Sequence, residues 1–416
     1  HYDFQNFTSF ATTQEFVAHF NPNEFEYETI LIKGARSFQF EEIVVLLEEK
    51  THETVLEINL NAISHNLNFY KSKLKPTTKM MAMVKAFGYG SGSFEIAKLL
   101  AHHKIDYLGV AFADEGIALR NAGITMPIIV MNPENSAFAA MVAYNLEPEI
   151  YSASVLKKFI VLAQQKNLYN YPIHLKLDTG MHRLGFEEKD LDELIGLLKN
   201  NNLVEVKSIF SHLSSSDVPE FHAFTLGQIQ KFDTWSSRLI SELHIKPIRH
   251  ILNTSGIYHF AEYQFDMVRL GIGLYGVGND AEEMQHLENV STLKTVILQI
   301  KEIPVGESVG YSRRFRAEKP IRTATIPIGY ADGIPRSWGN EKGYVMVNHQ
   351  KARIVGNICM DMLMIDVTDL PCEEGDTVIV FGKTPRVTEL AEVVGTIPYE
   401  ILTSISHRVK RVFYKE

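Results

Sequence analysis

Between residues 79 and 272 the chain alternates between two hydrophobic patterns. Short apolar runs recur at KMMAMVK (79–85), YLGVAF (107–112), PIIVMN (127–132), LEPEI (146–150), IHLKLD (173–178), VKSIFSH (206–212), RHILN (249–253) and MVRLGI (267–272). Between them lie longer stretches with apolar residues at helical spacing, among them SFEIAKLLAHH (93–103), SASVLKKFIVLAQQ (152–165) and PEFHAFTLGQIQKFDTWSSRLISEL (219–243). Strict strand–helix alternation predicts parallel strands joined by crossover helices. Eight such units within about 200 residues predict an α/β chain closed into a (β/α)8 barrel over 61–289.

The pattern changes near residue 290. LKTVILQIKEIP, IRTATIPIG, YVMVNHQKARIVG, MLMIDVTDL and DTVIVFG are β-rich segments separated by Gly, Pro, Asn and Asp turns, which predicts a mostly-β domain over 290–416. Ahead of the barrel, residues 51–60 carry a strand expected to pair with that domain. Residues 1–50 differ again: ETILIKGARSFQFEEIVVLLEEK (28–50) has the pattern of a buried strand, a Gly turn and an amphipathic helix, as at the closing unit of another α/β domain. No phosphate-binding loop accompanies it.

Composition narrows the function. With 416 residues, 45% of them hydrophobic, the chain can bury a large core in two or three domains. A formal charge of −9 and the lack of a basic stripe with interleaved aromatics argue against a nucleic-acid partner and for a small-molecule substrate. Cys359 and Cys372 make neither a disulfide framework nor a metal cluster, and the sixteen histidines fall in no ligand spacing, so no metal is expected. No apolar run reaches the roughly 18 residues a membrane span needs, and HYDFQNF lacks a signal-peptide layout. These features fit a reducing cytoplasm. The chain opens on His1 rather than Met, which fits a part of a longer protein.

The ends of the predicted barrel strands carry the chemistry, because barrel enzymes build their sites there. Lys85 closes the first apolar run, where burial of an ammonium costs several kcal/mol unless it is compensated. A desolvated lysine loses its charge easily and can form a Schiff base; the plain alternative is a side chain that snorkels to water. The other ends present KLDTGMHRLG, His212, Asn253 with Thr254, and Arg269 ahead of Gly271 and Ile272. A purely structural barrel has no need for a lysine, a histidine and an arginine converging on one mouth.

In order, MVKAFGYGSG, KLDTGMHRLGF, SIFSHLSSSD, FDMVRLGIGLYG, VGYSRRF, TIPIGYADGIPRSWG, GNICMDMLMIDVT and IPYEILTSISHRVKR resemble the motifs of bacterial alanine racemases over residues 52–416. The resemblance implies pyridoxal phosphate held covalently by Lys85. It implies a phosphate cup of Tyr89, Thr254, the Gly271 and Ile272 N–H groups and Tyr399, with Asn253 beside it; the family usually has serine where Thr254 stands. Arg269 would face the pyridine nitrogen as a pure donor, weakening the cofactor as an electron sink, and His212 would link Arg269 to the catalytic tyrosine. Inversion at a carbon needs an acid/base group on each face. Lys85 is implied on one, and Tyr311 of a second subunit in a head-to-tail homodimer on the other.

The substrate carboxylate of L- or D-alanine would meet Arg183 and the Met360 N–H, with Asp361 in the same loop, and Tyr330 with Tyr399 would narrow the entrance. Lys176 matches a lysine often carbamylated in the family, which then orients Arg183; unmodified, it would repel that arginine. Two rivals stay open at this point, a racemase of broader range and a basic amino-acid decarboxylase, besides a non-catalytic pyridoxal-phosphate carrier. The leading segment resembles the end of the Mur ligase that adds D-Ala-D-Ala, which implies a ligase–racemase fusion making D-alanine for peptidoglycan.

Overall fold

The structure is a computed structural model that describes residues 8–20, 30, 32–33, 43 and 53–415. The chain divides into two compact units, 1–53 and 54–416. In the first, a helix spans Thr13–His19 and starts in the ordinary way, with the Thr12 hydroxyl accepting from the Glu15 N–H. The strand, turn and helix expected over 28–50, on which the Mur-ligase likeness rests, lie outside the described residues apart from 30, 32–33 and 43.

The second unit opens with β1 (Val55–Asn59) and the helix Leu60–Ser72. Eight parallel strands follow: β2 (Lys79–Met83), β3 (Tyr107–Val110), β4 (Ile128–Val130), β5 (Glu147–Ile150), β6 (Tyr171–Lys176), β7 (Val204–Phe210), β8 (Ile248–His250) and β9 (Met267–Leu270). They are ordered β8-β7-β6-β5-β4-β3-β2-β9. No ladder joins β8 to β9. Single bonds close that seam, including Asp266 N–H to Arg249 O at 3.0 Å and Arg269 N–H to Leu252 O at 2.9 Å. Strands β3, β4 and β9 are buried at every position, as expected of parallel strands covered by helices on one side and by the barrel interior on the other. The covering helices are amphipathic. Ala153–Gln165 is capped by Ser152 and buries Val155, Leu156, Phe159 and Ala163 along one stripe.

The C-terminal part adds β10 (Ser291–Val296), β11 (Gln299–Ile303), β12 (Ser308–Val309), β13 (Phe315–Arg316), β14 (Ile321–Ile326), β15 (Tyr344–Val347), β16 (Gln350–Val355), β17 (Leu363–Asp366), β18 (Thr377–Phe381) and β19 (Lys410–Tyr414). All but β12 and β13 join β1 in a nine-stranded sheet ordered β11-β14-β17-β16-β15-β18-β10-β1-β19. Strand β1 runs antiparallel to β10 and parallel to β19, so the segments before and after the barrel are paired side by side. Two short helices also stand in this part, Val387–Val394 and Pro398–Ser404. The second packs on the turn after Lys85: a Cβ at Gly90, which has φ +80°, would lie 2.1 Å from the Leu402 carbonyl oxygen.

Candidate active site

A cavity of about 470 Å³ opens at the C-terminal ends of the barrel strands, a volume suited to a cofactor or small substrate. It is lined by Lys85, Tyr89, Lys176, Arg183, His212, Asn253, Thr254, Arg269, Gly271 and Tyr399, together with residues that sequence reasoning passed over: Met83, Met131, Asn132, Phe210, Asp217, Ser255 and Asn279. Tyr399 reaches it from the helix Pro398–Ser404 of the same chain. Ile272 lies one residue beyond the lining glycine and is buried.

Lys85 is not the last residue of its strand, which is a correction to the sequence reading. β2 stops at Met83, and the chain turns through left-handed conformations at Ala86 (φ 51°), Phe87 (φ 54°) and Gly88 (φ 58°). Side-chain-bearing residues disfavour that region by about 1–2 kcal/mol each. Hydrogen bonds hold the turn: Gly88 N–H to Val84 O at 3.0 Å, Gly90 N–H to Ala86 O at 2.9 Å, and Ala86 N–H to the Glu115 carboxylate at 2.5 Å. The result lifts Lys85 over the cavity. Burial pushes its pKa down, the Arg183 charge adds to the effect, and Glu115 opposes it. An amine so placed is readily freed of its proton and becomes a nucleophile or base.

Arg269 is buried on β9, and burial lowers its pKa to about 10 against the pull of Glu149. Its Nη1 donates to His250 Nδ1 at 2.9 Å; its Nη2 donates to the carbonyls of Ser211 (2.6 Å) and Ile251 (3.0 Å) and faces His212 Nδ1 at 3.4 Å. Among the described residues no protein acceptor takes its Nε–H, and the residue lines the cavity. Burial and then Arg269 itself drive the His212 pKa well below the ordinary histidine value, so His212 is neutral. His250, which sequence reasoning missed, is likewise neutral, held low by burial and then by Arg269.

Lys176 does not stand bare against Arg183. It donates to Glu149 on β5 at 2.9 Å, with both side chains buried. The expectation that an unmodified Lys176 simply repels Arg183 is corrected by that carboxylate. Burial raises the Glu149 pKa to about 7 despite Lys176, and its Oε2 is buried without a partner. The glutamates inside the run LEPEI were the available signal, as Lys85 was at the end of KMMAMVK.

Tyr89, Thr254 and Gly271 converge. A Cβ at Gly271 would sit 3.0 Å from Tyr89 Oη and 3.4 Å from Thr254 Oγ1, so an atom there meets two hydroxyls. The adjacent Ser255 Oγ is buried without a partner. Hydroxyls around an open spot suit an anion such as a phosphate. Lys85, Arg183 and Arg269 add positive charge nearby. These groups fit pyridoxal phosphate.

Besides Ile272, four residues named from sequence do not line this cavity in the single chain. Tyr311 begins a short turn between β12 and β13 and is 68% exposed. Met360 and Tyr330 are also exposed, and Asp361 accepts from Arg408 at 2.7 Å. Tyr330 therefore does not share a gate with Tyr399 of its own chain.

The profile of the alanine racemase N-terminal domain matches residues 58–279 and that of the C-terminal domain 290–413. The chain is 36% identical to alanine racemase 1 of Clostridium acetobutylicum over 371 residues, which cover 86% of this chain and 95% of the relative. It is 36% identical to the alanine racemase of Thermodesulfovibrio yellowstonii, over 86% and 97%. Its fold superposes on the alanine racemase of Clostridium difficile with a TM-score of 0.82 at 33% identity, over 88% and 96% of the two chains. On that of Bartonella henselae, solved with covalently bound pyridoxal phosphate, the TM-score is 0.80 at 32% identity, over 87% and 99%.

Proposed function

The chain belongs to the alanine racemase family, and we propose that its barrel mouth interconverts L- and D-alanine with pyridoxal phosphate held by Lys85. One observation carries the assignment to this cavity. It pairs an amine pushed toward neutrality with an arginine that can only donate, beside hydroxyls gathered around an open spot.

When bound, pyridoxal phosphate supplies the electron sink that makes the α-hydrogen of an attached amino acid removable. The protein does the rest. Tyr89, Thr254, Ser255 and the Gly271 edge bind the phosphate. Arg269 offers its Nε–H to the ring nitrogen and cannot protonate it, because a guanidinium stays charged. Arg183 holds the substrate carboxylate. Lys85 takes the α-proton from one face or returns it there, and Tyr311 of the partner subunit does the same on the other. His212, neutral and in contact with Arg269, links that tyrosine to the arginine's charge.

The case for a second copy rests on exposure. Tyr311, Tyr330, Met360 and Met362 are large, partly apolar and open to solvent around β12, β13 and β17, as at a surface built to be covered. A head-to-tail homodimer supplies both the cover and the second base. Holding the carboxylate on Arg183 and weakening the sink through Arg269 favour racemisation over decarboxylation. The reading places the enzyme in the cytoplasm, making D-alanine for peptidoglycan; no helix among the described residues is long and apolar enough to cross a membrane. It extends to residues 1–50 as the tail of a Mur-ligase half, supported by their sequence likeness alone, and detection of ligase activity in a longer chain that carries these residues is its test.

A chiral assay of the purified protein loaded with pyridoxal phosphate tests the function. L- and D-alanine should each approach an equal mixture, with serine, lysine and arginine far slower. Turnover of lysine or arginine to an amine would instead support a decarboxylase.

A further inference from the structure

Arg269 is tied to the far end of the barrel by a continuous line of buried polar groups. From its Nη1 the line runs to His250 Nδ1 (2.9 Å), from His250 Nε2 to Ser208 Oγ (3.0 Å), from Ser208 Oγ to His174 Nδ1 (2.6 Å), and from His174 Nε2 to the Glu147 carboxylate (2.7 Å). His174, Ser208 and His250 are fully buried, and Glu147 starts β5 at the end of the barrel opposite the cavity. The apolar runs hide these residues, but strand periodicity places His174 with Lys176 and Glu147 with Glu149 on the inward faces of their strands.

The two ends of the line fix every proton in it. An arginine only donates, so His250 Nδ1 must accept and its proton lies on Nε2. That proton goes to Ser208, whose single hydroxyl proton then goes to His174 Nδ1. His174 therefore carries its proton on Nε2 and gives it to Glu147, which as a carboxylate only accepts. Each donor meets one acceptor and no group is orphaned, which a buried network requires. Reversing the link at Arg269 would set His250 N–H against Arg269 N–H, two donors with nothing between them, and reversing the link at His174 would leave the Ser208 hydroxyl proton without an acceptor in the line.

The structure assigns Glu147, His174, Ser208 and His250 as a one-way hydrogen-bond relay that positions Arg269. It fixes Nη1 at one end of the guanidinium, while the Ser211 and Ile251 carbonyls take Nη2, and the donor left for the cavity is Nε–H. None of these four residues lines the cavity, so they are positioning residues that act through Arg269. The assignment rests on the proposed function only for its consequence in catalysis; the proton arrangement stands on geometry alone.

The first test therefore needs no cofactor. In histidine-15N-labelled protein, two-bond 1H–15N correlation should show His174 and His250 neutral, each with its proton on Nε2. Either ring protonated on Nδ1, or on both nitrogens, overturns the relay. The second test uses the loaded enzyme. Ser208→Ala, which is small enough to be accommodated, and Glu147→Leu should each lower kcat for alanine by about tenfold with KM changed less than about twofold, and should shift the absorption band of the bound cofactor. Glu147→Gln, whose amide oxygen can still accept from His174, should recover most of the loss. Folded Ser208→Ala and Glu147→Leu proteins with wild-type kcat and spectrum overturn the positioning role. A wild-type protein inactive on alanine would instead defeat the functional reading, and the nitrogen spectrum would judge the relay separately.

Discussion

Replacing Gly271 with alanine isolates the anion-binding part of the site. The added Cβ would lie 3.0 Å from Tyr89 Oη and 3.4 Å from Thr254 Oγ1, at the edge of the open cavity. Without cofactor the methyl meets the far end of one tyrosine, which needs to yield by only a few tenths of an ångström. The phosphate meets a different situation, because the methyl takes the space in which an oxygen would accept from Tyr89 and Thr254. One charge-assisted hydrogen bond is worth about 1.5–3 kcal/mol, which converts to roughly 10- to 150-fold in Kd. Titrating cofactor-free protein with pyridoxal phosphate and following the 420 nm region reads that Kd, and a thermal melt of the same samples reads stability. A Kd within about threefold of wild type at unchanged melting temperature would refute the placement of the phosphate.

Other perturbations probe the remaining parts. Lys85→Ala should leave no borohydride-reducible adduct, since the other lysine lining the cavity, Lys176, is held by Glu149; a retained adduct, seen by mass spectrometry, would contradict this. Mixing inactive Lys85→Ala with inactive Tyr311→Phe should restore activity, because a mixed dimer contains one site with both native residues; no recovery once mixed dimers are shown would place the second base in the same chain. Native Glu149 keeps its proton up to about pH 7, whereas in the unfolded chain it is released near 4.5. This carboxyl therefore costs stability progressively as pH rises through that window. The wild-type advantage over Glu149→Gln, which has no titrating group at this position, should therefore shrink from pH 4.5 to 7, which denaturant midpoints across that range can read.

Much of the fold was legible because period and length speak loudly in parallel strands. Eight apolar runs alternating with helical stripes leave few architectures, and the β-rich tail after residue 290 is set off by its turns. The position of Lys85 was less so. Nothing in KAFG announces left-handed backbone at Ala86 and Phe87, since that turn is held by Glu115, 29 residues away in the chain. Glu149, His174 and His250 were present in the quoted runs but read as parts of apolar strands, although the logic applied to Lys85 applies to each of them. Tyr311, Met360 and Asp361 are a different matter: they stand away from the cavity of their own chain, and single-chain geometry cannot bring them to it. The pattern read over 28–50 falls almost wholly outside the described residues and has no structure to compare.

In the proposed mechanism two proton-transfer groups face one substrate from opposite sides, Lys85 from the barrel and Tyr311 from a second copy. Exchange of the α-proton in D2O, followed by NMR separately from L-alanine and from D-alanine, tests this most directly. Wild type should exchange both. Tyr311→Phe should lose exchange from one enantiomer, expected to be L-alanine, by at least about tenfold more than from the other, which Lys85 still serves. Equal loss from both enantiomers, or none from either, would contradict the assignment of Tyr311 as the second base.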